Sequence, residues 1–176
     1  DTVTIANLGG HSVEDYVKGA EILDQTDLKL IELNISCPNV KEGGMAFGTD
    51  PCKAREVIEK VREKTNKVLM VKLSPNVGNI GEFAKLAEDS GADCISLINT
   101  VNALAVDIRT RKAVFANKTA GLSGPAIKPI ALRMVNEAAN SVSIPVIGMG
   151  GIMTYEDALE FIMAGATAIQ VGTANF

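Results

Sequence analysis

Apolar runs of strand length alternate along this chain with longer amphipathic stretches. Most of the runs are continuously apolar, which is typical of parallel strands that are buried on both faces. We predict strands at residues 3–7, 30–36, 68–74, 94–99, 145–149 and 168–173. We predict helices at residues 13–23, 51–64, 79–90, 126–140 and 155–164. Strands that alternate with helices in this way indicate a parallel α/β sheet.

Two of the predicted helices begin with strong start signals. Ser12 and Thr154 are each followed by acidic residues, so both resemble N-caps with favourable charge in the first turn. Gly91 and Gly165 follow predicted helices at the position where a C-terminal cap is needed. These signals support the assignment of the intervening stretches as helices.

The loops favour a (β/α)8 TIM barrel over a doubly wound sheet. Nearly every predicted strand ends in a polar or glycine-rich loop, and chemistry in a barrel collects at the carboxyl ends of its strands. A complete barrel usually needs ~250 residues, and this chain has 176. We therefore expect residues 1–176 to form one partial barrel domain with about six of the eight β/α units, without the N-terminal units and the C-terminal helix. Gly43, Gly44 and Gly48 predict a long loop, and residues 101–124 predict another.

Composition and charge exclude several classes of protein. The net charge is −4 and aromatic residues make up 4% of the chain, a poor match to nucleic-acid binding, which needs a basic surface and stacking rings. No apolar run reaches the ~18 residues of a membrane span. The three cysteines cannot all pair, which favours a reducing cytoplasm. Since His11 is the only histidine, any site that needs two is excluded, and we expect no metal site.

Two glycine-rich turns predict a phosphate site. IGMGGI (147–152) ends one strand and VGTAN (171–175) ends the next. Glycine lets backbone N–H groups approach an anion closely, and TIM barrels bind phosphate at the loops after their last two strands. The alternative is that both are ordinary tight turns.

A second candidate site lies at residues 34–39, Asn-Ile-Ser-Cys-Pro-Asn. The carboxamides of Asn34 and Asn39 can donate and accept hydrogen bonds to a planar, amide-rich ligand. Cys37 follows the predicted strand, where its thiolate could serve as a base or nucleophile. A small buried thiol is the alternative, and Cys52 and Cys94 are expected to be structural.

Three further residues are candidates for ligand contacts. Lys72 interrupts an apolar strand, where an unpaired ammonium would be costly, so we expect it to face a ligand; an outward lysine along a helix is the alternative. Asn99 and Thr100 follow the next strand, where they could contact a ligand or simply form a turn.

The motifs together resemble the class 1 dihydroorotate dehydrogenases, and in detail the NAD-linked B type. The segments that carry the resemblance are ELNISCPNVKEGGMAFGTD (32–50), VKLSPN (71–76), GLSGPAIKP (121–129), GMGGI (148–152) and VGTANF (171–176). They extend over nearly the whole chain. Residues 101–105, Ala120 and the Gly10–His11 pair depart from the family pattern.

The resemblance implies a barrel with FMN at its mouth that oxidises dihydroorotate to orotate in de novo pyrimidine (UMP) biosynthesis. Cys37 would be the base that removes the C5 proton, while hydride passes from C6 to flavin N5. The residues that match substrate contacts of the family are Asn34, Asn39, Asn99 and Thr100. Those that match FMN contacts are Asn7, Asn34, Lys72, Ile98, Gly124, Gly150, Gly151, Gly172 and Thr173.

The B-type resemblance also implies partners. It predicts a homodimer that works with an electron-transfer subunit, which carries FAD and an iron–sulfur cluster and passes electrons to NAD. Two other enzyme readings stay open: a flavin barrel that reduces pyrimidines, similar to dihydropyrimidine dehydrogenase, and a non-flavin barrel that binds a sugar phosphate. A non-catalytic docking fragment is a third.

Overall fold

A computed structural model describes residues 2–36 and 44–175 of the chain. The strands are β1 (Ile5–Leu8), β2 (Leu30–Asn34), β3 (Val68–Lys72), β4 (Cys94–Leu97), β5 (Val101–Leu104), β6 (Val106–Asp107), β7 (Lys112–Ala113), β8 (Thr119–Leu122), β9 (Val146–Met149) and β10 (Ala168–Gln170). The helices are α1 (Val13–Asp24), α2 (Gly44–Thr49), α3 (Pro51–Arg62), α4 (Ile80–Asp89), α5 (Lys128–Ala139) and α6 (Tyr155–Met163). Short 3₁₀ turns occupy Pro125–Ile127 and Thr173–Asn175.

Six strands form one parallel sheet in the order β1-β2-β3-β4-β9-β10. Each neighbouring pair is parallel, so all of these strands end at the same edge of the sheet. The sheet curls into part of a barrel, and the (β/α)8 fold class expected from the sequence is confirmed as a partial TIM barrel. The strand order follows the chain order, as the barrel topology requires.

The helix start and stop signals act as predicted. Ser12 and Asp15 form a reciprocal capping box at α1, and Thr154 and Asp157 form another at α6. Gly91 and Gly165 adopt positive φ angles of 98° and 110° directly after helices, a conformation that glycine adopts without steric strain. The predicted helix positions are therefore confirmed to within a few residues.

The two faces of the parallel sheet have different chemistry. The helix-covered face carries fully buried apolar side chains such as Ile31, Leu33 and Ile95, which belong to the main core. Because side chains alternate along a strand, the intervening residues point to the opposite face. There, Met70 and Cys94 form a smaller apolar cluster with Ile147. The same face also carries polar residues nearer the carboxyl ends of the strands.

Two predicted loops contain regular structure. Residues 44–49 form α2, so the loop prediction based on Gly44 and Gly48 is wrong there, while Gly43 lies outside the described residues. Residues 101–124 contain two small antiparallel sheets, β5–β8 and β6–β7. Their strands have two to four residues each, too short for a hydrophobic pattern to stand out. Across 2–36 and 44–175, no helix is long and apolar enough to cross a membrane.

Candidate functional site

A cleft opens at the carboxyl edge of the parallel sheet. Its volume is about 210 Å³, below the roughly 300–1,000 Å³ of sites that enclose a small molecule completely. Its lining contains nine of the residues proposed above as ligand contacts: Lys72, Ile98, Asn99, Thr100, Gly124, Gly150, Gly151, Gly172 and Thr173. The cleft therefore joins the predicted phosphate turns to the predicted polar contacts.

The glycine turns of the cleft (Gly124, Gly150, Gly151 and Gly172) present bare backbone. Gly124, Gly150 and Gly151 have φ angles of 86°, 128° and 77°, which disfavour any side chain. A Cβ on Gly151 would lie 2.8 Å from the carbonyl oxygen of Gly124, so the two segments pack too closely for one. Apart from adjacent residues in the chain, no atom of the described residues lies within 4 Å of a Cβ built on Gly124 or Gly172, so their backbone is open to a ligand. This arrangement suits a phosphate group that is bound by backbone N–H groups.

A helix start supports the glycine turns. Asp157 in α6 accepts hydrogen bonds from the backbone N–H groups of Met153 and Thr154, at 2.8 and 2.9 Å. Lys128 at the start of α5 contacts the same carboxylate at 2.6 Å. These donors hold the pKa of Asp157 well below its ordinary value, chiefly through the Lys128 hydrogen bond, and the pKa of Lys128 is raised in turn. The ion pair therefore ties α5 to α6 on either side of the turns.

Asparagine side chains are linked in a row beside the cleft. Asn99 Nδ2 donates to Asn34 Oδ1 at 3.3 Å and to Ser36 Oγ at 2.7 Å. Asn34 Nδ2 donates to Asn7 Oδ1 at 3.4 Å. The contacts bring together residues from β1, β2 and the segment after β4. Thr100 donates its backbone N–H to Asn99 Oδ1 at 2.8 Å, and both residues line the cleft.

A buried carboxylate extends this row into the barrel. Glu32 is 5% exposed and accepts hydrogen bonds from Asn7 Nδ2 at 2.5 Å, Ser96 Oγ at 2.7 Å and Gln170 Nε2 at 3.2 Å. Its Oε2 lies 3.8 Å from Lys72 Nζ. We call the resulting set the polar network; its members are Asn7, Glu32, Asn34, Ser36, Lys72, Ser96, Asn99 and Gln170.

Lys72 lies in the cleft, as the burial argument predicted. Its side chain is 17% exposed and lies 3.8 Å from that of Glu32 on the neighbouring strand β2. The alternative of an outward lysine along a helix is therefore wrong. Glu32 and Gln170 were missed by the sequence reasoning. Glu32 carries the same signal as Lys72, a charged residue inside an apolar strand, whereas Gln170 at a strand end gives no comparable signal.

Two of the predicted site residues, Cys37 and Asn39, lie outside the described residues. Ser36, which precedes Cys37 in the sequence, is 1% exposed and bonded to Asn99 and Asn34. The segment that leads to Cys37 thus begins at the cleft edge. Among the described thiols, burial raises the pKa of Cys94 to about 11, which keeps it protonated at neutral pH, and Cys52 is exposed in the first turn of α3.

Comparison with known proteins shows the family. The dihydroorotate dehydrogenase family model matches residues 1–176. A catalytic subunit of dihydroorotate dehydrogenase B (NAD(+)) from Petrotoga mobilis is 59% identical over 176 residues, which are 100% of this chain and 59% of that protein.

Two further relatives, also named as catalytic subunits of dihydroorotate dehydrogenase B (NAD(+)), have similar identity and coverage. The Geotalea uraniireducens protein is 58% identical over 177 residues, covering 100% of this chain and 58% of its own length. The Phocaeicola vulgatus protein is 59% identical over 176 residues, covering 99% and 58%. The chain spans less than two thirds of the length of these relatives. With the full-length match to the family model, these identities show that the chain belongs to the dihydroorotate dehydrogenase family.

Proposed function

We propose that the intact protein is an FMN-dependent enzyme that oxidises dihydroorotate to orotate in de novo pyrimidine biosynthesis. The observation that carries this proposal is the single cleft that joins open glycine turns to an ammonium and a row of amides. Membership of the dihydroorotate dehydrogenase family supports the same reaction. We also propose that residues 1–176 are one part of a single FMN-binding barrel domain.

The cleft suits the chemistry of FMN. The glycine turns, together with Thr173, offer backbone N–H groups for the phosphate, and the positive φ angles explain why side chains are absent there. Lys72 and Ile98 would lie along the ring, where an ammonium stabilises developing negative charge, with Asn7 and Asn34 as further contacts. FMN supplies the hydride acceptor when it is bound.

The amide row suits the substrate. Dihydroorotate presents ring N–H and C=O groups, and carboxamides such as those of Asn34 and Asn99 are a side-chain type that can both donate and accept hydrogen bonds. Asn39 and Thr100 are proposed as further substrate contacts. Cys37 is proposed as the base that takes the C5 proton. Its support is the position of Ser36, which is hydrogen-bonded to Asn99 at the edge of the cleft.

Electrons must leave the reduced enzyme before another turnover. We propose that they pass to a partner subunit with FAD and an iron–sulfur cluster and then to NAD. Support comes from the relatives, which are named catalytic subunits of an NAD(+) enzyme. A homodimer and a cytoplasmic location complete the proposal. Co-purification of the intact protein with an iron-containing flavoprotein that reduces NAD would test the partnership, and recovery of an active, iron-free protein that itself reduces NAD would contradict it.

A spectrum of the purified intact protein tests the proposed reaction. We expect flavin absorbance that is lost under anaerobic conditions when dihydroorotate is added. Reduction by dihydrouracil in preference to dihydroorotate would favour a pyrimidine reductase similar to dihydropyrimidine dehydrogenase. A colourless protein that binds sugar phosphates would favour a non-flavin barrel enzyme.

A further inference from the structure

We propose that Glu32 is a positioning residue that holds the Lys72 ammonium at the floor of the cleft and offsets its charge. The inference deepens the proposed function, because it assumes that FMN binds above Lys72. It starts from a residue that lies beneath the cleft and does not line it. Glu32 therefore acts through its neighbours and would not itself contact the ligand.

The burial of Glu32 requires an explanation. Its side chain occupies the middle of β2 between Ile31 and Leu33, both of which are completely buried on the other face. A buried carboxylate is unfavourable unless it is paired and hydrogen-bonded. Both oxygens of Glu32 meet this requirement. Oε1 accepts from Ser96 and Gln170, and Oε2 accepts from Asn7 and faces Lys72.

The neighbours of Glu32 differ in what else they contact. Ser96 is completely buried, Asn7 is exposed on the edge strand β1, and neither lines the cleft, whereas Lys72 and Gln170 do. The carboxylate thus holds the side chains of Lys72 and Gln170, which can both contact a ligand in the cleft. If Glu32 had a purely structural role, the three hydrogen bonds from Asn7, Ser96 and Gln170 would be sufficient. The position of the Lys72 ammonium would then not depend on the charge of Glu32.

The distance to Lys72 is informative. The separation of 3.8 Å between Nζ and Oε2 allows strong attraction but exceeds a hydrogen bond. Within the described part of the chain, Lys72 Nζ makes no hydrogen bond. None of its N–H groups is taken up by the described residues, which leaves them available to a ligand in the cleft, while the carboxylate holds the ammonium in place.

The charge of Glu32 has a measurable consequence for a redox cofactor. A lone ammonium favours the anionic reduced form of a flavin, and a carboxylate behind it weakens that preference. Glu32→Gln should therefore strengthen the binding of reduced FMN relative to oxidised FMN by about tenfold. A tenfold change corresponds to a rise of about 30 mV in the midpoint potential of a two-electron couple.

Three variants of the intact, FMN-loaded protein separate charge from geometry. Spectroelectrochemical titration should show the rise for Glu32→Gln. Glu32→Asp keeps the charge, and Ser96→Ala removes one hydrogen bond to the carboxylate without changing its charge, so both should stay within about threefold of the unmodified protein, equivalent to about 15 mV. An unchanged potential in Glu32→Gln would overturn the proposal, as would an equal rise in either control.

A second measurement needs no cofactor and covers the case in which Glu32→Gln binds none. In denaturant unfolding of the flavin-free intact protein, Lys72→Met should lower the midpoint because it leaves the carboxylate unpaired. Adding Glu32→Gln to that variant should recover at least half of the loss. If the losses simply add, Glu32 and Lys72 are not coupled and the proposal fails. Failure of the unmodified protein to bind FMN would contradict the proposed function, while this cycle would still test the pairing.

Discussion

The cleft has two parts, one at the glycine turns and one at the polar network, and they differ in whether backbone or side chains form the lining. Around Gly124, Gly150 and Gly151 the lining is backbone, and its shape depends on positive φ angles and close packing. Around Lys72 and Asn99 the lining is side chains that are joined to the polar network. The glycine turns can recognise an anion but offer no group that exchanges protons or adjusts charge. The polar network contains the charged pair of Lys72 and Glu32, and the proposed base Cys37 follows its member Ser36 in the sequence, so binding and reactivity should respond separately to mutation.

The largest effect should come from Cys37, the proposed base, which follows Ser36 of the polar network in the sequence. Cys37→Ala should slow reduction of the bound flavin by dihydroorotate about 10²–10⁴-fold at neutral pH, because a positioned acid–base group typically contributes that factor. FMN should stay bound, since the glycine turns are unchanged. Stopped-flow absorbance measures the rate. The control is Cys52→Ala, which removes an exposed thiol in α3; a normal rate in Cys37→Ala would remove this residue from the mechanism.

The glycine turns should fail in a different way. In Gly151→Ala, the new Cβ would meet the Gly124 carbonyl oxygen at 2.8 Å while φ stays at 77°. We expect FMN to bind at least ~10-fold more weakly, a loss that corresponds to ~1.4 kcal/mol of strain or lost contact. Riboflavin, which lacks the phosphate, should lose much less affinity.

Fluorescence titration with both ligands makes this comparison. Gly78→Ala is the matched control, because a Cβ there would meet no atom of another described residue within 4 Å, adjacent residues apart. Equal losses for FMN and riboflavin would show that the turns do not act on the phosphate.

Lys72→Ala tests how the charge of the polar network affects the flavin. Loss of the ammonium should weaken binding of reduced FMN relative to oxidised FMN by roughly tenfold, which lowers the midpoint potential by about 30 mV. Potentiometric titration measures the shift, and Lys53→Ala on the exposed face of α3 is the control. A potential and an FMN affinity that both match the control would show that the ammonium does not act on the flavin.

The smallest expected effect concerns the support of the glycine turns. The lowered pKa of Asp157 means that its charged form stabilises the fold above its ordinary pKa near 4, and that this contribution is lost as pH falls. Asp157→Asn should lower Tm modestly at pH 7 and flatten the decline of Tm on the acid side. Thermal unfolding between about pH 3 and 7 checks this. A decline as steep as that of the unmodified protein would contradict the role of the Lys128 pair.

The sequence predicted the repeated elements well because their signals are local. The N-caps at Ser12 and Thr154 and the continuously apolar strands each carry their information within a few residues. The strands within 101–122 were not predicted, since two-residue strands such as β6 and β7 leave no period to detect.

The site was predictable to a similar degree. Glycines at two strand ends and a lysine in an apolar run are unusual enough to be noticed in the sequence. The structure brings the glycine turns and Lys72 together in the cleft. Glu32 could have been predicted as a site residue by the same reasoning as Lys72, because it is also a charged residue inside an apolar strand. Its partners could not, because Asn7, Ser96 and Gln170 come from three distant parts of the chain and meet only when the sheet curls.

Anaerobic addition of dihydroorotate to the purified intact protein is the most direct test of the central claim. The account predicts a yellow protein whose flavin absorbance disappears at a rate that depends on Cys37. A protein that carries no flavin, or one whose flavin stays oxidised with dihydroorotate while another reductant bleaches it, would contradict the account.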